Sequence, residues 1–65
     1  MNKYNVGDIL YYINDGKVYK EKVREVIGCM VAWVYKFNSS EIEEENVFRT
    51  SKELIDNITE QCLKL

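Results

Sequence analysis

The dipeptide Asp15-Gly16 constrains this chain more than any other pair of residues. It lies between Ile9-Leu10-Tyr11-Tyr12-Ile13-Asn14 and Lys17-Val18-Tyr19, two β-rich flanks. A two-residue type I′ reversal needs φ > 0 at both central positions, a conformation that Gly adopts freely and Asp tolerates. The pair therefore predicts a hairpin and sets the register of the first two strands. Just upstream, Gly7-Asp8 reads as a tight turn leading into the first of them.

The rest of the chain extends this β pattern and then leaves it. The first strand is expected over residues 9–13, with 9, 11 and 13 on one face and Leu10 and Tyr12 on the other. Both faces are apolar, as suits a strand that curls inside a small barrel. A second strand is expected over 17–27. Its apolar residues Val18, Val23 and Val26 change parity, so it needs a bulge or a sharp bend to keep them inward. Gly28 ends it. The third strand, over 30–37, is the most hydrophobic, with Val31, Trp33, Tyr35 and Phe37 alternating with Met30, Ala32, Val34 and Lys36. Asn38-Ser39-Ser40 forms the next turn. A fourth strand follows over 41–45, with Ile42 inward and glutamates that discourage edge-to-edge pairing.

At Thr50 the period changes. Thr50 and Glu53 form a capping box that opens a helix over 51–64. Leu54, Ile55, Ile58, Cys62 and Leu65 fall within an arc of roughly 100° at 100° per residue, while Leu63 points away. Glu53 at the start and Lys64 at the end suit the macrodipole, and Glu60 and Lys64 form a favourable pair. Cys62, on the apolar arc, is expected to be a small buried hydrophobe.

Length and composition bound the function. Sixty-five residues are expected to form one domain, near the lower limit for a self-sufficient core. At that size a partner subunit would add stability, so a homo-oligomer is a natural arrangement. Apolar residues at 46% and aromatics at 12% exclude disorder despite 31% charge. A net charge of −2 argues against a general polyanion binder. No apolar run is long enough for a membrane helix and no signal peptide is visible, so the expected compartment is the cytoplasm and no disulfide between Cys29 and Cys62 is expected. The chain has no histidine, no paired cysteines and no glycine-rich phosphate loop. Those absences remove the commonest general base, most nucleophile pairs and most zinc sites. No catalytic residue, cofactor or metal site is expected, and the chain reads as a non-enzyme.

Val6-Gly7-Asp8-Ile9-Leu10-Tyr11, the Asp15-Gly16-Lys17 turn and Val47-Phe48-Arg49-Thr50-Ser51-Lys52-Glu53-Leu54 together resemble small phage and bacterial proteins with an SH3-like barrel. The Val-Gly-Asp opening also resembles the start of KOW-type SH3-like modules. The resemblance implies a mainly β fold: a small SH3-like barrel of four to five short antiparallel strands with a C-terminal amphipathic helix. Since such barrels host many functions, it implies no activity of its own. A phage setting points to a protein-binding inhibitor of a host defence or replication protein, for example one acting as anti-CRISPR proteins do.

Three surfaces are candidates for that interaction. The aromatics Tyr11, Tyr12, Tyr19, Trp33 and Tyr35 could line a methylated-amine cage or a peptide groove, and Tyr11, Tyr19, Trp33 and Tyr35 are the expected partner-binding residues. The acidic run Glu41, Glu43, Glu44 and Glu45 is either a solvated edge or a phosphate-like patch for a basic protein. Strand alternation there does not suit a metal. Lys20, Lys22 and Arg24, at i, i+2 and i+4, share one face of a regular strand, and Lys17 near the turn could join them. With neighbouring tyrosines they form the alternative reading, a weak nucleic-acid-binding barrel. That alternative predicts that Lys22→Glu weakens binding to labelled single-stranded DNA, duplex DNA and RNA alike and flattens the salt dependence in fluorescence anisotropy. An unchanged affinity would remove this surface.

Overall fold

The computed structural model describes residues 2–63. Among them the chain forms five strands in two sheets, a 3-10 turn and one helix, so the fold is mainly β. Strands β1 (Ile9–Asn14) and β2 (Lys17–Lys22) pair antiparallel. Their reversal is the one expected: Asp15 and Gly16 stand at φ 53° and 74°, and the register brings Asn14 opposite Lys17 and Tyr12 opposite Tyr19. Strands β3 (Glu25–Gly28), β4 (Trp33–Lys36) and β5 (Glu41–Glu43) form the second sheet in chain order.

The expected second strand over 17–27 is thus two strands in different sheets. The change of parity is real, and it marks the bend at Val23-Arg24. The Val23 N–H donates to the Asp8 carbonyl at 2.8 Å and its carbonyl accepts from Gly7 at 2.9 Å, whereas the Arg24 N–H already donates to Lys36 of the second sheet. Val23 is buried at this corner. Val18, 59% exposed, is not an inward residue. It lies opposite Ile13 on the outer side of the hairpin. The first strand likewise buries one face: Leu10 and Tyr12 are sealed, and Ile9 and Ile13 are open to solvent.

The third strand is shorter than 30–37 because the chain reverses there. The Cys29 N–H donates to the Ala32 carbonyl, closing a turn whose tip, Met30-Val31, is fully exposed. Beyond it Trp33, Tyr35 and Phe37 share the inward side. Gly28 lies opposite Trp33 in the register, and a Cβ there would stand 2.9 Å from the indole Cζ3, so only glycine leaves the ring its place. The fourth strand stops at Glu43, and Glu44–Asn46 wind into the 3-10 turn.

The core consists of Tyr4, Leu10, Tyr12, Val23, Tyr35, Phe37 and Val47, with Tyr19, Val26, Trp33 and Ile42 against it. Its aromatic rings pack edge to face and stacked: Tyr4 on Tyr35 at 5.5 Å, Tyr12 on Tyr19 at 5.2 Å and Tyr12 on Phe37 at 4.6 Å between centroids. Such pairs contribute about 0.5–1.5 kcal/mol each beyond the area they bury.

Phe48 exchanges two backbone hydrogen bonds with Tyr11, which carries the chain from the 3-10 turn back to β1 and delivers the helix α1 (Ser51–Leu63). The Thr50 hydroxyl accepts the Glu53 N–H at 3.1 Å, which is one half of the expected capping box; the return bond from the Thr50 N–H to the Glu53 carboxylate is not among the hydrogen bonds of the described residues. Only Leu54 of the helix is buried, at 3% exposure. Ile55 is 57% exposed, and Cys62 is exposed rather than buried as expected. The periodicity marks which face is apolar, but the two short sheets offer a wall only to the first turns. Lys64 and Leu65, and with them the Glu60–Lys64 pair, lie outside the described residues. No helix among the described residues is long and apolar enough to cross a membrane.

A helix held by one side chain has a sharp signature. Leu54→Ala should lower stability by about 2–3 kcal/mol, the cost of emptying a buried leucine site. Ile55→Ala and Leu63→Ala, on exposed positions, should stay within about 0.5 kcal/mol of the parent in urea melts.

Candidate functional site

Two clefts adjoin β5. One groove, of about 460 Å³, runs between the sheets and α1, with Ile13, Ile42, Phe48, Leu54 and Ile58 on its floor and walls. A second, of about 360 Å³, is lined by Val31, Ala32 and Trp33 together with Glu43, Glu44 and Glu45. Glu43 borders both. The 3-10 turn brings the glutamates together. Had the strand continued to residue 45, their side chains would alternate between faces.

Glu44 is fixed. Its Oε2 accepts the Tyr35 hydroxyl at 2.6 Å and the Lys3 N–H at 3.0 Å, and the Tyr35 oxygen in turn accepts the Tyr4 N–H at 3.2 Å. The Tyr35 hydrogen bond, followed by that from Lys3, holds the Glu44 carboxyl below its ordinary 4.5. Burial, then the bond to Glu44, pushes the Tyr35 phenol above 10.0. Tyr12 follows the same logic: burial first, then its hydroxyl's bond to Glu21 at 2.5 Å, raises its phenol. Glu43 and Glu45 differ from Glu44. The ion pairs of the described residues, Arg49–Asp8 and Lys52–Asp56, lie elsewhere, and no lysine or arginine lines the Trp33 cleft. No three acidic or thiol side chains among the described residues converge closely enough to hold a metal ion.

The expected partner-binding aromatics do not form one surface. Tyr35 is completely buried, as is Tyr12. Tyr11 is half-buried on the outer side of the hairpin, and Tyr19, opposite Tyr12, stacks on the inner side. Of the four, Trp33 lines the second cleft beside β5. A cage built from these rings is therefore not assembled. The basic stripe is also divided. Lys20 and Lys22 share the outer side of β2, and Lys20 Nζ stands 5.7 Å from the Tyr11 ring centroid. Lys17 has the opposite parity in the strand, and Arg24 follows the bend.

The sequence places Ile58 on the apolar arc of the helix but gives it, Met30 and Phe48 no role at a site. Met30 lies in a run that reads as strand, and the other two gain meaning only when the helix is placed beside β1. Comparisons with protein-family models, with curated proteins and with solved structures find no match to this chain.

The Tyr35–Glu44 bond makes a pH prediction with a definite sign. A carboxyl whose folded value is depressed contributes stability that is complete above 4.5 and is lost as the pH falls through the lower folded value. Glu44→Gln removes that component. The stability difference between parent and variant should be largest at neutral pH and shrink steadily on acidification below 4.5 in thermal melts.

Proposed function

We propose that this chain is a non-enzymatic protein-interaction module, and that its binding face is the acidic, apolar surface around β5. The observation that carries the reading is that two clefts, each lined by apolar and acidic side chains together, share the carboxylate Glu43, which has no ion-pair partner among the described residues, beside a fully exposed Met30-Val31 tip. Exposed apolar area rimmed by charge is the usual mark of a contact surface. Glu43 and Glu45, with no ion-pair partner among the described residues, favour a basic partner and steer its approach. The same charge pattern would let the face stand in for nucleic-acid phosphates, which suits an inhibitor of a host nucleic-acid-handling protein acting in the cytoplasm. We read the two sheets as parts of a small SH3-like barrel. The Val23-Arg24 corner joining them and the Tyr11–Phe48 bridge closing the segment before the helix support that reading.

A second reading has one observation in its favour. Lys20 over Tyr11, with Lys22 on the same side, pairs charge with a stacking ring as single-strand binders do. Two lysines neutralise few phosphates, so this contact would be weak and salt-sensitive.

Glu43→Lys reverses the charge that both clefts share at an exposed position. Affinity capture from bacterial lysate with the parent should retain a basic protein in stoichiometric amount. The variant, melting within about 0.5 kcal/mol of the parent, should lose it. Equal retention by both, or none by the parent, would overturn the reading.

A further inference from the structure

The Trp33 cleft has a chemistry more specific than the face around it. We propose that it receives a single arginine side chain of the partner protein. The inference rests on the interaction reading and names the anchor within it. One wall is the Trp33 indole, set in place by Gly28, where a Cβ would come within 2.9 Å of the ring. The same cleft is lined by Glu43, Glu44 and Glu45, from the strand paired with that of Trp33 and the turn that follows it. Glu44 already accepts two hydrogen bonds, from Tyr35 and Lys3, which keeps it ionised and pinned. Glu43 and Glu45 have no cationic partner among the described residues.

This set of groups selects its occupant by exclusion. A purely apolar side chain would desolvate carboxylates without pairing them, which is unfavourable. A metal ion needs converging ligands, and no such group exists among the described residues. An organic cation satisfies both kinds of group. Its charge is attracted to the face of tryptophan, the strongest of the aromatic cation binders, and its N–H groups donate to the carboxylates of the same cleft. Arginine fits better than lysine. Its guanidinium is flat enough to stack on the indole while its donors, spread in one plane, reach two carboxylates at once. Val31 and Ala32 line the approach and cover the methylene stem. The cleft, at about 360 Å³, is at the small end of ligand sites, the scale of one side chain rather than a whole peptide.

Trp33 is the only tryptophan of the chain, so its fluorescence reports the cleft directly. The full chain is titrated into the millimolar range with acetyl-Gly-Arg-Gly-amide and with the corresponding lysine and citrulline peptides. Citrulline keeps the shape of arginine and removes its charge. The arginine peptide should give a saturable change in emission, the lysine peptide should bind at least threefold more weakly, and the citrulline peptide should give no saturable change. In the Glu43→Gln/Glu45→Gln double variant the arginine affinity should fall at least fivefold with the melting temperature unchanged. No saturable arginine response, an equal response to citrulline, or full affinity in the double variant would each overturn the proposal. The capture experiment separates the two levels. A partner lost on Glu43→Lys by a chain that shows no arginine response at Trp33 overturns the anchor and leaves the interaction reading standing.

Discussion

Three segments distant in sequence meet at the Tyr35 hydroxyl. It donates to Glu44 of the 3-10 turn and accepts from Tyr4 of the N-terminal segment, while the ring below it packs against Tyr4 and the core. A phenol in the middle of a core is costly unless its oxygen is satisfied, and here it is satisfied in both directions. The bond also decides where the acidic run goes. Glu44 is held by Tyr35 and Lys3, and its sequence neighbours Glu43 and Glu45 line the Trp33 cleft with it. Core packing and the charge pattern of the candidate face thus depend on one tyrosine.

The helix shows the opposite economy. It is anchored by Leu54 and leaves Ile55, Cys62 and Leu63 outside. A chain of this size has little sheet surface to spare, so an amphipathic helix longer than the wall beside it leaves apolar surface over. Part of that surplus forms the groove through Ile58 and Phe48. This groove and the Trp33 cleft adjoin through Glu43, which lines both.

Particular residues show how far the chain was legible in advance. The Asp15-Gly16 reversal and the Thr50 cap are local devices whose dihedral and hydrogen-bond demands are met by neighbours in sequence, and both are where they were expected. The change of parity around Val23 announced a corner. That the corner would split the strand between two sheets depended on Asp8 and Gly7 pairing with Val23 from outside it. Met30-Val31 reads as strand because it is apolar. It is a turn because Glu25–Gly28 must pair with Trp33–Lys36, which leaves only four residues for the reversal. Of the aromatics chosen for a binding surface, Tyr35 went to the core and Tyr11 and Tyr19 to opposite sides of one hairpin.

The sequence by itself determined the class of object: short antiparallel strands, one capped amphipathic helix, and a chain without histidine. These follow from turn dihedrals, side-chain period and composition, which act over a few residues. Tertiary structure alone decided which apolar residues were buried and which were left exposed, and it brought Trp33 into one cleft with Glu43 and Glu45. The physical reason is that burial depends on what lies across the gap. A side chain's hydrophobicity is its own property, but the wall it meets belongs to residues ten or more positions away.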